Sequence, residues 1–421
     1  METVATGIWP KAKLLVKGLI IGALVLLLLI PAYFVQDLIK EREARQKEAY
    51  SEVSSKWAGR QNITGPVLVL PYTAGPGLTR LAYFIPDTLT MDVDVKPEER
   101  HRGIYQVMLY SSTTRVRGRF SPLALSQLDI RTEDVLWNQA YLCMGLADSK
   151  GLNEMKFTWN NTESLVNPAS VNNAIVRDGF SANVNAAPDQ SFDFAVTINM
   201  NGSEQLLFTP LAKRSTVTLT SPWPDPSFTG SQLPDHRITN KGFVATWKNP
   251  ANARNFPAAW KGDGTVVTEP NSFGADLFIP VNGYQKTLRS VKYAILCILL
   301  TFAAFFIIET VSKRSVHPFQ YALIGLALIL FYTLLLSFSE YTGFNTAYII
   351  ASIATVGLIG WYVKGILQSM KFSVVLGTVL VLMYSYVFTI LQLQDYSLLL
   401  GSIGLFLTLG VIMYFSRKIQ W

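Results

Sequence analysis

The chain has 421 residues, half of them hydrophobic and only 15% charged, an apolar excess over the usual composition of a soluble protein. Its formal net charge of +7 does not gather on one folded face. Lys11, Lys13, Lys17, Lys313, Arg314, Lys364, Lys371, Arg417 and Lys418 all flank apolar runs, a pattern of membrane orientation that argues against nucleic-acid binding.

The apolar excess is local. One run covers 18–35, and five more cover 291–308, 319–338, 347–363, 372–393 and 396–415. Crossing a bilayer core takes about 20 helical residues. The layout therefore predicts an α+β membrane protein with six transmembrane helices, one N-terminal and five in a C-terminal bundle. A large all-β, sandwich-like periplasmic domain is inserted between them. Residues 1–17 are expected as a cytoplasmic tail, 18–35 as the first span and 36–60 as a membrane-proximal helix. The periplasmic domain follows over 61–288, the bundle over 291–415, and a second cytoplasmic tail over 416–421. The basic loops place both termini in the cytoplasm, with short outward loops near Glu340 and Asp395. The first run is too long for a cleaved signal core, and no small-x-small site follows it, so an uncleaved anchor is expected.

Beyond the first run, 36–57 holds neither Gly nor Pro. Glu41 and Arg45, Glu43 and Lys47, and Glu52 and Lys56 stand at i,i+4 spacing, and Ala49, Tyr50, Val53 and Trp57 form an apolar stripe. This reads as a helix that packs its stripe on the outer domain, or else as a solvated stalk. After Gly65 the period changes to two. Strands are expected at 67–70, 81–86, 89–95, 105–120, 192–200, 206–209, 217–220, 243–247, 266–268 and 277–281. Phe84-Ile85-Pro86 and Phe208-Thr209-Pro210 echo one another ahead of strands. The segment 221–230 carries three prolines and Trp223, too stiff for a central strand. It is either a rigid crossover or a presenter of Trp223 and Phe228 to a partner. Lys286, Arg289 and Lys292 recur at helical spacing before the second span. These bases oppose the orientation rule, and lipid phosphates or domain carboxylates are their expected partners.

The two cysteines, Cys143 and Cys297, fall in the outer domain and in a span, so no internal disulfide is expected. The histidines His101, His236 and His317 are scattered, and the chain lacks HExxH, CxxC, a phosphate loop and a nucleophile elbow. The expectation is no enzyme, no metal and no cofactor. Glu309 and Glu340 close two spans, where ionisable groups are costly and often functional; interfacial solvation, pairing and a proton or substrate role all stay open. The candidate interaction or membrane-coupling residues are Glu41, Arg45, Trp57, Trp223, Phe228, Arg289, Glu309 and Glu340.

Several segments together carry a family resemblance. They are Glu41-Arg42, Arg45, Glu48-Ala49, Glu52-Val53-Ser54, Trp57, Gly65-Pro66-Val67-Leu68, Arg102-Gly103-Ile104-Tyr105 and Asn201-Gly202-Ser203. The pattern continues through Ser221-Pro222-Trp223-Pro224-Asp225-Pro226, Pro280-Val281-Asn282-Gly283-Tyr284, His317-Pro318-Phe319-Gln320-Tyr321 and Ser337-Phe338-Ser339-Glu340. The chain resembles the CreD family of bacterial inner-membrane proteins over almost its whole length. It departs from the family pattern at Asn282, usually Asp, and at Tyr341, usually His. The resemblance implies an inner-membrane protein linked to envelope integrity, colicin tolerance and a two-component regulon that answers envelope or β-lactam stress. It supplies no enzyme activity. Two functions are therefore expected in order. The first is an accessory protein whose periplasmic domain binds or senses an envelope component or membrane protein, with the lipid bilayer as a standing partner. The second is a small-molecule or lipid transporter built on the bundle. Oligomeric state is not legible in the sequence.

Overall fold

The computed structural model describes residues 8–169, 178–251, 256–262, 271–277, 283–312, 314–393 and 399–404, with Phe406, Gly410 and Met413. The chain forms two compact units. Met1–Lys47 and Val281–Trp421 make one, and Glu48–Pro280 makes the other. The fold is α+β.

The first unit is helical. It holds the early part of α1 (Ile8–Trp57), then α2 (Gly283–Lys292), α3 (Ala294–Ser312), α4 (Pro318–Thr342), α5 (Phe344–Leu367) and α6 (Met370–Gln392). Among the described residues five helices, α1 and α3–α6, are long and apolar enough to cross a membrane. The 19 residues of α3 rise about 28 Å, close to a bilayer core. The expected span 396–415 lies largely outside the described residues.

Two expected boundaries differ from those observed. The sequence separates 18–35 from 36–60, but α1 is one helix of 50 residues with Pro31 inside it. An apolar helix tolerates a proline because neighbouring groups can re-satisfy the freed carbonyl. The sequence also carries the β-rich domain to 288, whereas 283–292 folds as α2. Tyr284, Thr287 and Val291 of α2 are buried within the helical unit.

Local chemistry sets the helix ends. The His317 ring accepts from the Phe319 N–H at 3.2 Å, and the Gln320 side chain accepts from the His317 N–H at 3.0 Å. Pro318 takes the first helical position of α4, where its missing N–H costs nothing. Close packing within the unit is seen at Gly325. A Cβ on Gly325 would lie 2.2 Å from Leu28 Cδ1, so glycine lets α4 approach α1 there without displacing the Leu28 side chain.

The second unit is built of strands. In chain order they are β1 (Gln61–Gly75), β2 (Leu78–Phe84), β3 (Thr88–Arg102), β4 (Tyr105–Phe120), β5 (Tyr141–Leu146) and β6 (Leu152–Trp159). Then come β7 (Thr162–Ser164), β8 (Asn167–Ala169), β9 (Gly179–Asn183), β10 (Phe192–Ser203), β11 (Gln205–Pro210) and β12 (Arg214–Ser221). The last are β13 (Ser227–Gly230), β14 (Asp235–Thr239), β15 (Gly242–Asn249), β16 (Ala259–Lys261) and β17 (Phe273–Asp276). Among the described residues, nine strands form a first sheet, ordered β13-β17-β11-β1-β5-β9-β8, with β2 on β1 and β16 on β2. Eight form a second, ordered β14-β15-β12-β3-β4-β10-β6-β7. The expected strand at 266–268, and 277–281 beyond Leu277, lie outside the described residues.

Each sheet contains one parallel pairing among described strands, β1 with β11 and β3 with β12. The echoing Phe84–Pro86 and Phe208–Pro210 segments are the corners where the chain passes from the first sheet to the second. The corners touch, with Lys213 N–H donating to Pro86 O at 2.8 Å and Arg214 N–H to Asp87 O at 3.0 Å.

One buried cluster draws side chains from both sheets. Trp247 of β15 stacks on Phe273 of β17 with ring centroids 5.3 Å apart. Trp159 of β6 stacks on Phe192 of β10 at 5.1 Å. Aromatic pairs at such separations add about 0.5–1.5 kcal/mol to the burial of their area.

Candidate functional site

The densest polar site of the helical unit lies where α3 turns into α4. Glu309 is 7% exposed. Its carboxylate takes the Lys17 ammonium of α1 on Oε1, the Val316 N–H on the same oxygen at 2.8 Å, and the Tyr321 hydroxyl on Oε2 at 2.8 Å. Lys17 also donates to Val316 O at 2.7 Å and lies 6.0 Å from the Tyr321 ring centroid. Phe302 and Phe305 pack against that ring at 5.5 and 4.8 Å. The sequence left solvation, pairing or a proton role open for Glu309. The geometry is pairing, in which one carboxylate ties α1, α3, α4 and the intervening turn. A buried charge held by three donors orients its neighbours and resists loss of any one of them.

The opposite end of the same helices carries the other expected acid. Glu340 accepts from the Tyr284 hydroxyl at 3.0 Å, which joins α4 to α2. Lys286 reaches Gln392 at 3.5 Å and lies 5.7 Å from the Phe344 ring centroid, and Gln392 donates to Asn345 at 2.6 Å. Arg289 stands exposed on α2.

In the strand unit, the chain enters the first sheet through a compact knot. Gly59 N–H donates to Asp148 Oδ2 at 2.9 Å. Gln61, 1% exposed, donates to Asp148 O at 2.9 Å and Asn201 O at 3.0 Å, and accepts from Asp148 N–H. Ser203 Oγ donates to Ala58 O at 2.8 Å. The last turns of α1 are held as well. The Tyr50 hydroxyl donates to Met108 O at 2.8 Å, Glu52 pairs with both Lys56 and Arg102, and Arg100 lies 5.4 Å from the Trp57 ring centroid. The stripe through Tyr50 and Trp57 is therefore engaged by its own unit. Glu41 and Arg45 pair at 2.6 Å on the helix surface with more than half of each side chain exposed, a contact worth about 0.3–0.5 kcal/mol.

Trp223 and Phe228 are both partly buried against the strand-unit core. The Trp223 indole Nε1–H donates to Asp225 O at 2.9 Å. Phe228 meets His236, Phe243 and Trp247 with centroids 5.0, 5.7 and 5.9 Å apart. Among the described residues no three His, Cys, Asp or Glu side chains gather as metal ligands. Burial pushes the Cys143 thiol up to about 12, so it is protonated at neutral pH and a poor nucleophile.

Sequence reasoning named none of Lys17, Tyr321, Gln61 or Asp148 as a candidate site residue. Lys17 served only as an orientation charge, and its partner is 292 positions away. Gln61 carried little signal, because β1 opens on Gln61, Asn62, Ile63 and Thr64 before its apolar run begins.

Helices of this length and apolarity joined to a separate strand-built unit define a multi-pass integral membrane protein. The family described as Inner membrane protein CreD matches residues 13–421, so the chain belongs to the CreD family of inner membrane proteins. It is 30% identical over 430 aligned positions to Inner membrane protein CreD of Escherichia coli (strain K12), an alignment covering 98% of this chain and 94% of that protein. Solved structures give weaker likenesses. A protein described as a nutrient binding protein from Legionella pneumophila is 6% identical, with a TM-score of 0.26 over 48% of this chain and 71% of that one. A zinc metallopeptidase from Deinococcus radiodurans is 11% identical, with a TM-score of 0.21 over 39% of this chain and 38% of that one. At these scores neither likeness bears on activity.

Proposed function

We propose that this protein is a non-enzymatic accessory of the bacterial inner membrane that supports envelope integrity and tolerance of stress or colicins. In this reading six helices span the membrane and both termini are cytoplasmic. The strand unit is a periplasmic sandwich that binds or senses an envelope component. The observation that carries the reading is the splice itself: Glu48–Pro280 forms one compact unit between apolar helices on either side. Charge supports the orientation, because Lys17 borders the first apolar run within α1, and Arg314, Lys364 and Lys371 sit at helix ends or turns that the positive-inside rule assigns to the cytoplasm. A carrier of small molecules or lipids is the second reading, and it has less support. Carriers commonly use broken midplane helices, while α4, α5 and α6 run unbroken.

A photoreactive residue at Leu233 or Ile238, which are 82% and 46% exposed, tests the reading in cells producing the full chain. Capture of a periplasmic protein, glycan or outer-leaflet lipid is expected. Capture of cytosolic proteins would overturn the orientation. Capture of nothing at wild-type protein levels would overturn the binding role.

A further inference from the structure

We infer that the exposed face of α2, centred on Arg289 and Lys292, is a binding site for the headgroup of an anionic phospholipid. The helix has two faces. Tyr284, Thr287 and Val291 are buried in the helical unit, while Gln285, Arg289 and Lys292 are exposed. Their spacing of four and then three residues places them on one stripe. Neither Arg289 nor Lys292 has an ion-pair partner among the described residues, although other cations of the unit do: Lys17 holds Glu309, and Arg45 holds Glu41. Among the described residues, Glu340 at this end is bonded to Tyr284.

The same stripe changes character on entering α3. Ile295 and Leu299 continue it and are 41% and 48% exposed, on a helix apolar enough to lie in a bilayer. Tyr293 barely interrupts the ladder. Its N–H donates to Ser290 O and its carbonyl accepts from Cys297 N–H, each at 3.0 Å. Along the surface, two cations without an ion-pair partner among the described residues stand one to two turns above exposed aliphatic side chains. That order matches a phospholipid, with phosphate above acyl chain. Arg289 supplies a planar fork for phosphate oxygens and Lys292 a mobile point charge. Basic residues on the outward side oppose the usual charge bias, and a bound anionic headgroup would compensate them. Lys286 is turned aside onto Gln392 and Phe344 and is not part of the site.

The test uses full-length protein reconstituted into nanodiscs of mixed phosphatidylcholine and phosphatidylglycerol, then extracted in mild detergent, with retained lipid measured by mass spectrometry. Each basic residue near an anionic surface changes partitioning about fivefold, so Arg289→Gln with Lys292→Gln should lower retained phosphatidylglycerol relative to phosphatidylcholine by ~25-fold. The charge-conserving pair Arg289→Lys with Lys292→Arg should keep most of the enrichment, and Lys248→Gln in the strand unit should change nothing. Free glycerol phosphate should compete poorly, because it lacks the chains that meet Ile295 and Leu299. Equal phosphatidylglycerol retention by wild type and the glutamine pair would overturn the site. So would full displacement by glycerol phosphate, which would mark a free-phosphate site instead. Should the glutamine pair not fold, loss of enrichment in the folded charge-conserving pair would overturn it too.

Discussion

Glu309→Gln should destabilise the helical unit by about 2–4 kcal/mol, and adding Lys17→Met should restore most of that loss. Removing one partner of a buried ion pair costs about 3–5 kcal/mol because the other charge is left behind. The Lys17 side chain is 19% exposed against 9% for Glu309, so its flexible stem can carry the ammonium partly outward, which lowers the figure. Glutamine keeps one carbonyl oxygen for Val316 N–H or Tyr321 but offers an NH2 group where a donor already stands. Lys17→Met removes the stranded charge and leaves the unpaired Val316 carbonyl, at a cost of about 1 kcal/mol. Lys17→Met alone strands the more buried Glu309 carboxylate in turn, so the two changes should couple by at least about 2 kcal/mol in a double-mutant cycle. Equilibrium unfolding in mixed detergent micelles, run on wild type, both single variants and the double variant, gives the four free energies. Coupling below about 0.5 kcal/mol would mean that water already screens the pair, and the tie described at the start of α4 would be wrong.

Two further outcomes follow from the strand unit. A Cβ at Gly151 would lie 2.3 Å from Asn201 O and 2.6 Å from Gln61 Nε2. Gly151→Ala should therefore push the sheets apart at the knot and cost about 1–3 kcal/mol, read as a lower midpoint of thermal unfolding; an unchanged midpoint contradicts that packing. Burial would raise the Asp87 carboxyl, but hydrogen bonds from Lys213 and Ser121 outweigh it and hold the group below the usual carboxylate range. A depressed native value gives stability that is complete above about pH 4 and is lost as the pH falls through that value. Asp87→Asn should flatten the acid limb of the stability profile, and an acid limb as steep as wild type would remove Asp87 from the account.

Legibility in the sequence followed burial geometry. Strand β10 alternates strictly because one face is wet, and its burial pattern has the same period. Strand β1 shows no alternation over 66–72 because it is buried on both faces there, so only its apolar middle could be assigned. Strand β3 runs seven residues past the expected 95, through Lys96–Arg102. This exposed stretch is held by its ladder to β4 and by contacts of Arg100 and Arg102 with the end of α1, and charge disguised it. The prolines around Trp223 argued against a strand, and β13 does begin only after Pro226. At the helical end, both acids were visible as costly residues at span ends. Which of them would be buried was not, because the Lys17 partner of Glu309 comes from the far end of the chain. The aromatic surroundings of Phe228 were equally hidden, since His236, Phe243 and Trp247 lie on later strands.

The side-by-side parallel pairs at the centre of the two sheets also constrain how the molecule is made. When α1 and β1 have left the ribosome, the strand that completes one flank of β1 does not begin until Gln205, and the mate of β3 does not begin until Arg214. Such distant pairings close slowly. An already anchored N-terminal helix must therefore wait, tethered to an open edge, while well over a hundred further residues are delivered. A nascent chain in that state can already pair β1 with β2 and β5, and β3 with β4, but it presents the other flank of β1 and of β3 unpaired, and chaperones acting on the emerging segment would meet those open edges.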